Sequence, residues 1–179
     1  MDRRRFLTGL ALGTGALALG RAISSRPTGA AIAAENAMTF TPLEVSRSAW
    51  KALVPPERYR ILFREGTEPP RSSPLDKFYD EGTYTCAACY LPLFTSDNKF
   101  DSGTGWPSFT QPIDGSIATK RDFKLIVPRT EYHCARCGGH QGHVFKDGPP
   151  PTGQRWCNNG LALEFTPRGE ALPALRAPS

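Results

Sequence analysis

The five cysteines of this chain fall into two kinds. Four form two C-x-x-C knuckles, Cys86-Ala-Ala-Cys89 and Cys134-Ala-Arg-Cys137, and Cys157 stands alone in "RWCNNG". Two residues between cysteines let both sulfurs of a tight turn face one centre. Two such turns make a closed tetrahedral four-sulfur site, the structural zinc arrangement. The 44 residues between the knuckles exceed a simple zinc ribbon, so the ion would tie together two distant β-hairpins. The competing readings are disulfides, if the protein is exported, and a redox C-x-x-C, a motif that normally comes once. His133 adjoins Cys134 and is a bystander where four cysteines are available.

Cys157 is left over. A lone cysteine is usually a small buried hydrophobe. Its neighbours also suit chemistry: Arg155 is a cation of the kind that lowers a thiol pKa, and Asn158 and Asn159 can donate hydrogen bonds to an oxyanion. His140 and His143 lie upstream in "GGHQGHVF", among glycines that permit close backbone approach. A cysteine with histidine and asparagine elsewhere in the chain is the general pattern of a thiol nucleophile. In "FDSGTGWPSF" (Phe100 to Phe109), Gly103 and Gly105 flank Thr104 and precede Trp106-Pro107. That stretch is either a loop presenting an indole as an apolar wall or a core tryptophan under a turn. From these residues alone both pairs of readings stand.

The elements that must position them are short. At 179 residues the chain can bury a real core, and 17 glycines with 17 prolines favour turns and short strands. Thr41-Pro42-Leu43-Glu44 reads as a capping box opening a helix whose face holds Val45, Ala49, Ala52 and Leu53. Pro55 and Pro56 stop it and start a second short helix with Tyr59, Leu62 and Phe63 on one face and Gly66 at its end. From Thr83 the signals are β: "TYTC", "FKLIVP" and "LALEF", the last with Leu161, Leu163 and Phe165 at the strand period. "DGPPPTG" is a rigid extended loop, and the Pro/Ala-rich residues 168–179 read as a flexible tail.

Taken in order, "GTEPP", "CAACYLPLF", "KFDSGTGWPSF", "CARCGGHQGHVFKDGPPPTG" and "RWCNNGLALEF" resemble the B-type peptide-methionine (R)-S-oxide reductases over about residues 41–167. The resemblance implies a mainly β fold, a β-tent of two antiparallel sheets with short N-terminal helices. It implies a structural zinc ion on Cys86, Cys89, Cys134 and Cys137, remote from the chemistry. It implies reduction of the R epimer of methionine sulfoxide in peptides and proteins, with Cys157 as nucleophile and resulting sulfenic acid. His140, His143 and Asn159 fall on the family's catalytic positions, and Trp106 on the wall of its methyl pocket. Two departures stand out. Many members carry a second, resolving cysteine where this chain has Thr104, so an external thiol such as a thioredoxin-like protein would regenerate Cys157. The residue after the nucleophile, usually aliphatic, is Asn158. The alternative reading is a zinc-held protein-binding module without catalysis.

The N-terminus reads as targeting. Arg3, Arg4 and Arg5 precede an uncharged run from Phe6 to Gly20, shorter than the roughly 20 residues of a membrane helix and suited to a signal h-region. Arg-Arg-x-Phe-Leu resembles the twin-arginine signal, and Ala31-Ile32-Ala33 is a candidate cleavage site. Residues 1–33 are therefore expected to be an export signal handled by the twin-arginine translocase, residues 34–40 a linker, and the mature protein periplasmic. The signal carries a net charge of +4 out of +5, so the pI of about 9.1 argues for no nucleic-acid partner.

Overall fold

The computed structural model describes residues 39–123 and 128–178. The expected export signal, most of the linker and the middle of "FKLIVP" lie outside the described residues. Among those described, no helix is long and apolar enough to cross a membrane.

Among the described residues, nine strands make two antiparallel sheets. β1 (Gly82–Cys86), β2 (Pro92–Thr95) and β9 (Leu163–Pro167) form a three-stranded sheet with β1 in the middle. The second sheet has six strands, in the order β3 (Lys99–Phe100), β4 (Ser108–Phe109), β8 (Arg155–Asn158), β7 (His140–Phe145), β6 (Arg129–Cys134) and β5 (Ile117–Asp122). This is the mainly β, two-sheet architecture expected. Aromatic side chains fill the space between the sheets: Phe94 stacks on Phe109 at 4.2 Å between centroids, Tyr84 meets Phe109 edge-on at 5.0 Å, and Tyr132 meets Trp156 at 5.1 Å.

The helix α1 (Pro56–Arg64) has proline in its first turn and buries Ile61, Leu62 and Phe63. It ends one residue before the expected glycine, on Glu65 at φ 53°, and Gly66 donates its amide to Arg60 O at 3.0 Å. The helix expected from Thr41 is absent. A 3-10 helix starts only at Arg47, behind a Ser46 that makes no side-chain cap. The Leu43 amide instead donates to Arg136 O at 2.7 Å, so a tertiary bond takes what the first helical turn needed. The strand read across "LALEF" begins later, at Leu163, because Gly160–Ala162 is a 3-10 turn. The tail past Pro167, read as mobile, has no regular element yet is tied down at Arg176: its guanidinium donates to Ala87 O and Ala88 O, both at 2.6 Å.

Candidate active site

The two knuckles meet. The Cys86 and Cys137 sulfurs are 3.6 Å apart, as are those of Cys89 and Cys134, and all four lie within 4.8 Å of one another. A disulfide would need about 2.05 Å. Tetrahedral Zn–S bonds of about 2.3 Å put sulfurs roughly 3.8 Å apart. The donor set is thus placed to hold a metal ion, and all four thiols are buried. Burial raises the Cys86 thiol pKa, while hydrogen bonds from Cys134, Cys137 and Cys86 lower that of Cys89. Negative charge gathered in so dry a cluster calls for a cation.

Cys157 is the fifth, half-buried thiol. It opens on a cavity of about 240 Å³ whose lining includes Thr104, Trp106, His143, Arg155 and Asn159. Four of the residues singled out from sequence, Cys157, His143, Asn159 and Trp106, therefore converge. Register explains the central pair: His143 on β7 sits directly opposite Cys157 on β8, and directly opposed residues of an antiparallel pair project to the same face. Arg155, two residues earlier on β8, shares that face, whereas Trp156 and Asn158 alternate toward the core.

The electrostatics differ from the sequence expectation. Burial raises the Cys157 pKa above the ordinary thiol value. The Arg155 charge and hydrogen bonds from Thr104 and Arg155 pull it down without prevailing. Arg155 is itself held by paired bonds to Asp147, both 2.9 Å. Burial also lowers the His143 pKa below its ordinary 6.5, against the opposing effect of its hydrogen bond to Asp122. At neutral pH the pair is therefore a thiol and a neutral imidazole. Asp122 Oδ2 accepts from His143 Nε2 at 2.8 Å and from Arg129 Nη2 at 2.7 Å. Nδ1 is then the ring nitrogen left to accept a proton.

His140 is buried and does not line the cavity. It stands behind His143, ring centroids 5.6 Å apart, and its Nδ1 is 2.8 Å from Glu131 Oε1. Asn159 donates Nδ2 to Gln141 O at 2.9 Å and accepts from the Glu68 amide at 3.0 Å through Oδ1. Trp106 Nε1 donates to Glu68 O at 3.1 Å. Asn158 is fully buried, with the buried Tyr132 hydroxyl as its side-chain polar neighbour. Sequence reasoning missed Asp122, Arg129, Glu131 and Glu68. Each acts through a pairing that only the fold creates, and the residue types alone do not reveal the partner.

Comparison with known proteins agrees with this geometry. The profile of the SelR domain matches residues 54–167. The chain is 47% identical over 131 residues to the peptide methionine sulfoxide reductase MsrB of Agrobacterium fabrum, covering 73% of this chain and 97% of that protein. It is 51% identical over 125 residues to the protein of the same name from Leptospira interrogans, covering 68% and 95%. A third, from the archaeon Methanosarcina mazei, is 48% identical over 130 residues, covering 72% and 93%.

Proposed function

The chain belongs to the SelR-domain family of peptide methionine sulfoxide reductases, and on that premise we propose how its own residues carry the reduction. It acts as a peptide-methionine (R)-S-oxide reductase. The Cys157 sulfur attacks the sulfoxide sulfur and forms an S–S bond as the sulfoxide oxygen takes up a proton; that hydroxyl then passes to the Cys157 sulfur as the S–S and methionine S–O bonds break, so methionine leaves and Cys157 is a sulfenic acid. The balance needs one proton on that oxygen, and the thiol carries it. His143, neutral at rest, takes the proton from Cys157 and returns it to the departing oxygen, while Asp122 holds the ring and stabilises its transient charge. Trp106 walls the S-methyl group, Asn159 shapes the cavity floor, and His140 with Glu131 backs His143. The observation that carries this reading is the direct opposition of Cys157 and His143 at the mouth of the Trp106 cavity.

The other four cysteines lie together in the metal cluster, and Thr104 stands where a resolving cysteine would. The sulfenic acid is therefore returned to the thiol by an external dithiol of the thioredoxin kind. Zinc is the ion proposed for the four-thiol site, because soft thiolates in a closed tetrahedron suit it. The protein is proposed to reach the periplasm through the twin-arginine translocase; N-terminal sequencing of the exported form should begin near Ala34, and an intact N-terminus on cytosolic protein refutes processing. The central experiment is a single turnover on an R-sulfoxide peptide without reductant. Dimedone should then label Cys157, and Cys157→Ser should abolish product while one zinc per chain is retained. Turnover surviving in that variant, or an intramolecular disulfide in place of the dimedone adduct, overturns the scheme.

A further inference from the structure

Glu68 is a buried carboxylate, 2% exposed, that the reaction above does not use. It follows Thr67, which lines the cavity. Its Oε1 accepts from the Gly160 amide at 2.6 Å and its Oε2 from the Leu161 amide at 2.9 Å. Both oxygens are thus filled by consecutive amides of the turn that follows Asn159. Its main chain is equally engaged: the amide donates to Asn159 Oδ1, and the carbonyl accepts from Trp106 Nε1. Four hydrogen bonds from one residue therefore reach the indole wall, the cavity amide and the turn leaving the nucleophile strand. The approach is close, since a Cβ on Gly160 would come within 3.3 Å of Glu68 Oε1 and far nearer to Ser73 Oγ. Burial raises the Glu68 pKa above the ordinary 4.5, and the two amides work against that rise. A charge left in so dry a place is tolerated when donors surround it.

We infer that Glu68 is a positioning residue for substrate fit: by pinning the Gly160–Leu161 turn to the Thr67–Glu68 segment, it fixes how far the Trp106 indole stands from Cys157 and so sets the width of the methyl pocket. The inference rests on the reductase reading and on Trp106 as the methyl wall. It does not require Glu68 to touch substrate. Side-chain variants leave its backbone bonds to Trp106 and Asn159 chemically possible; what they remove is the anchor that places that backbone.

The test compares kcat/KM for a peptide bearing R-methionine sulfoxide with that for its S-ethyl homologue, in wild type, Glu68→Gln and Trp106→Ala. The ratio of two substrates on one preparation is independent of how much of it is folded. One extra methylene in a shaped apolar pocket is discriminated by about tenfold or more. Glu68→Gln keeps the size but sets an amide donor against a backbone N–H, so one bond becomes a donor–donor contact. The methyl-over-ethyl ratio should fall about fivefold, toward that of Trp106→Ala, while the pH profile of Cys157 alkylation by iodoacetamide stays that of wild type. A Glu68→Gln enzyme that is slower on both substrates in equal proportion overturns the inference, because that is what a merely structural role does. If Trp106→Ala leaves the ratio untouched, the methyl-wall reading falls and takes the inference with it. If wild type reduces neither substrate, the reductase reading itself fails.

Discussion

At the scale of single residues the site is defined by two shifts of opposite sense. Cys157 is raised above the ordinary thiol value by burial, despite Arg155 and Thr104, and His143 is lowered by burial, despite Asp122. If the thiol proton must pass to a neutral imidazole, the free enzyme fails at both ends of the pH range. Below the His143 pKa, which lies under 6.5, the ring is already charged and accepts nothing. Above the Cys157 pKa, which lies over 9.0, the proton needed on the departing oxygen is gone. Single-turnover kcat/KM should therefore be flat between these limits and fall outside them. His143→Gln should lose about 10²–10⁴-fold at the plateau. A profile that instead rises through pH 7 to 9 would show that the thiolate, not the thiol, is the starting species, and the shuttle would be wrong. Thr104 belongs to the same balance. In place of a second sulfur it puts a hydroxyl against Cys157, part of a run in which Thr104, Ser102 and Ser108 oxygens are spaced 2.8 Å apart.

At the scale of elements the decisive feature is the β7–β8 pairing, which sets Gly142 against Asn158 and His143 against Cys157. The strands approach so closely at Gly142 that a Cβ there would stand 3.2 Å from Asn158 Cα and overlap the Cys157 carbonyl. Gly142→Ala should part the two strands, at a cost of about 1–3 kcal/mol, lowering Tm by roughly 2–12 °C. It should also reduce turnover by more than the lost stability explains, because the register that sets His143 opposite Cys157 is disturbed. Normal activity at 10 °C below Tm would show that the pairing tolerates the methyl group. Much of this level was legible. The knuckles, α1 and β1 announce themselves through cysteine spacing, proline placement and a run of aromatic and branched residues, and the order of motifs pointed to Cys157, His143 and Trp106. What was hidden depends on partners distant in sequence. The capping box at Thr41 lost to the Leu43–Arg136 bond, and the start of β9 gave way to the Glu68 carboxylate. A register shift in the β6–β7 pairing, with Tyr132 opposite Gly142 but His133 opposite His140, brings His140 beside His143, although residues three apart on a regular strand face opposite ways.

At the scale of the whole described domain, the four thiols join the two sheets, because Cys86 ends β1 of the smaller sheet and Cys134 ends β6 of the larger. The four-thiol cluster is not isolated from the cavity. Gln141 Nε2 lies 3.5 Å from the Cys86 sulfur, and the Gln141 carbonyl accepts from both the backbone amide and the side chain of Asn159. The C-terminal segment closes the arrangement from outside. Arg176 donates to Ala87 O and Ala88 O inside the first knuckle and to Leu53 O at 3.2 Å, its guanidinium lies 4.3 Å from the Tyr90 ring centre, and its own carbonyl accepts from Arg136 of the second knuckle at 2.6 Å. Charge-assisted bonds to the carbonyls of the buried Ala87 and Ala88 are worth more than a surface ion pair. Arg176→Ala should therefore cost about 2 kcal/mol, lower Tm by roughly 4–8 °C, and speed transfer of zinc to a chromogenic chelator several-fold. Cys157 reactivity toward iodoacetamide should stay unchanged until the metal leaves. Should the variant keep wild-type Tm and wild-type zinc release, the tail merely lies along the knuckle, and the cluster is held by its own two turns.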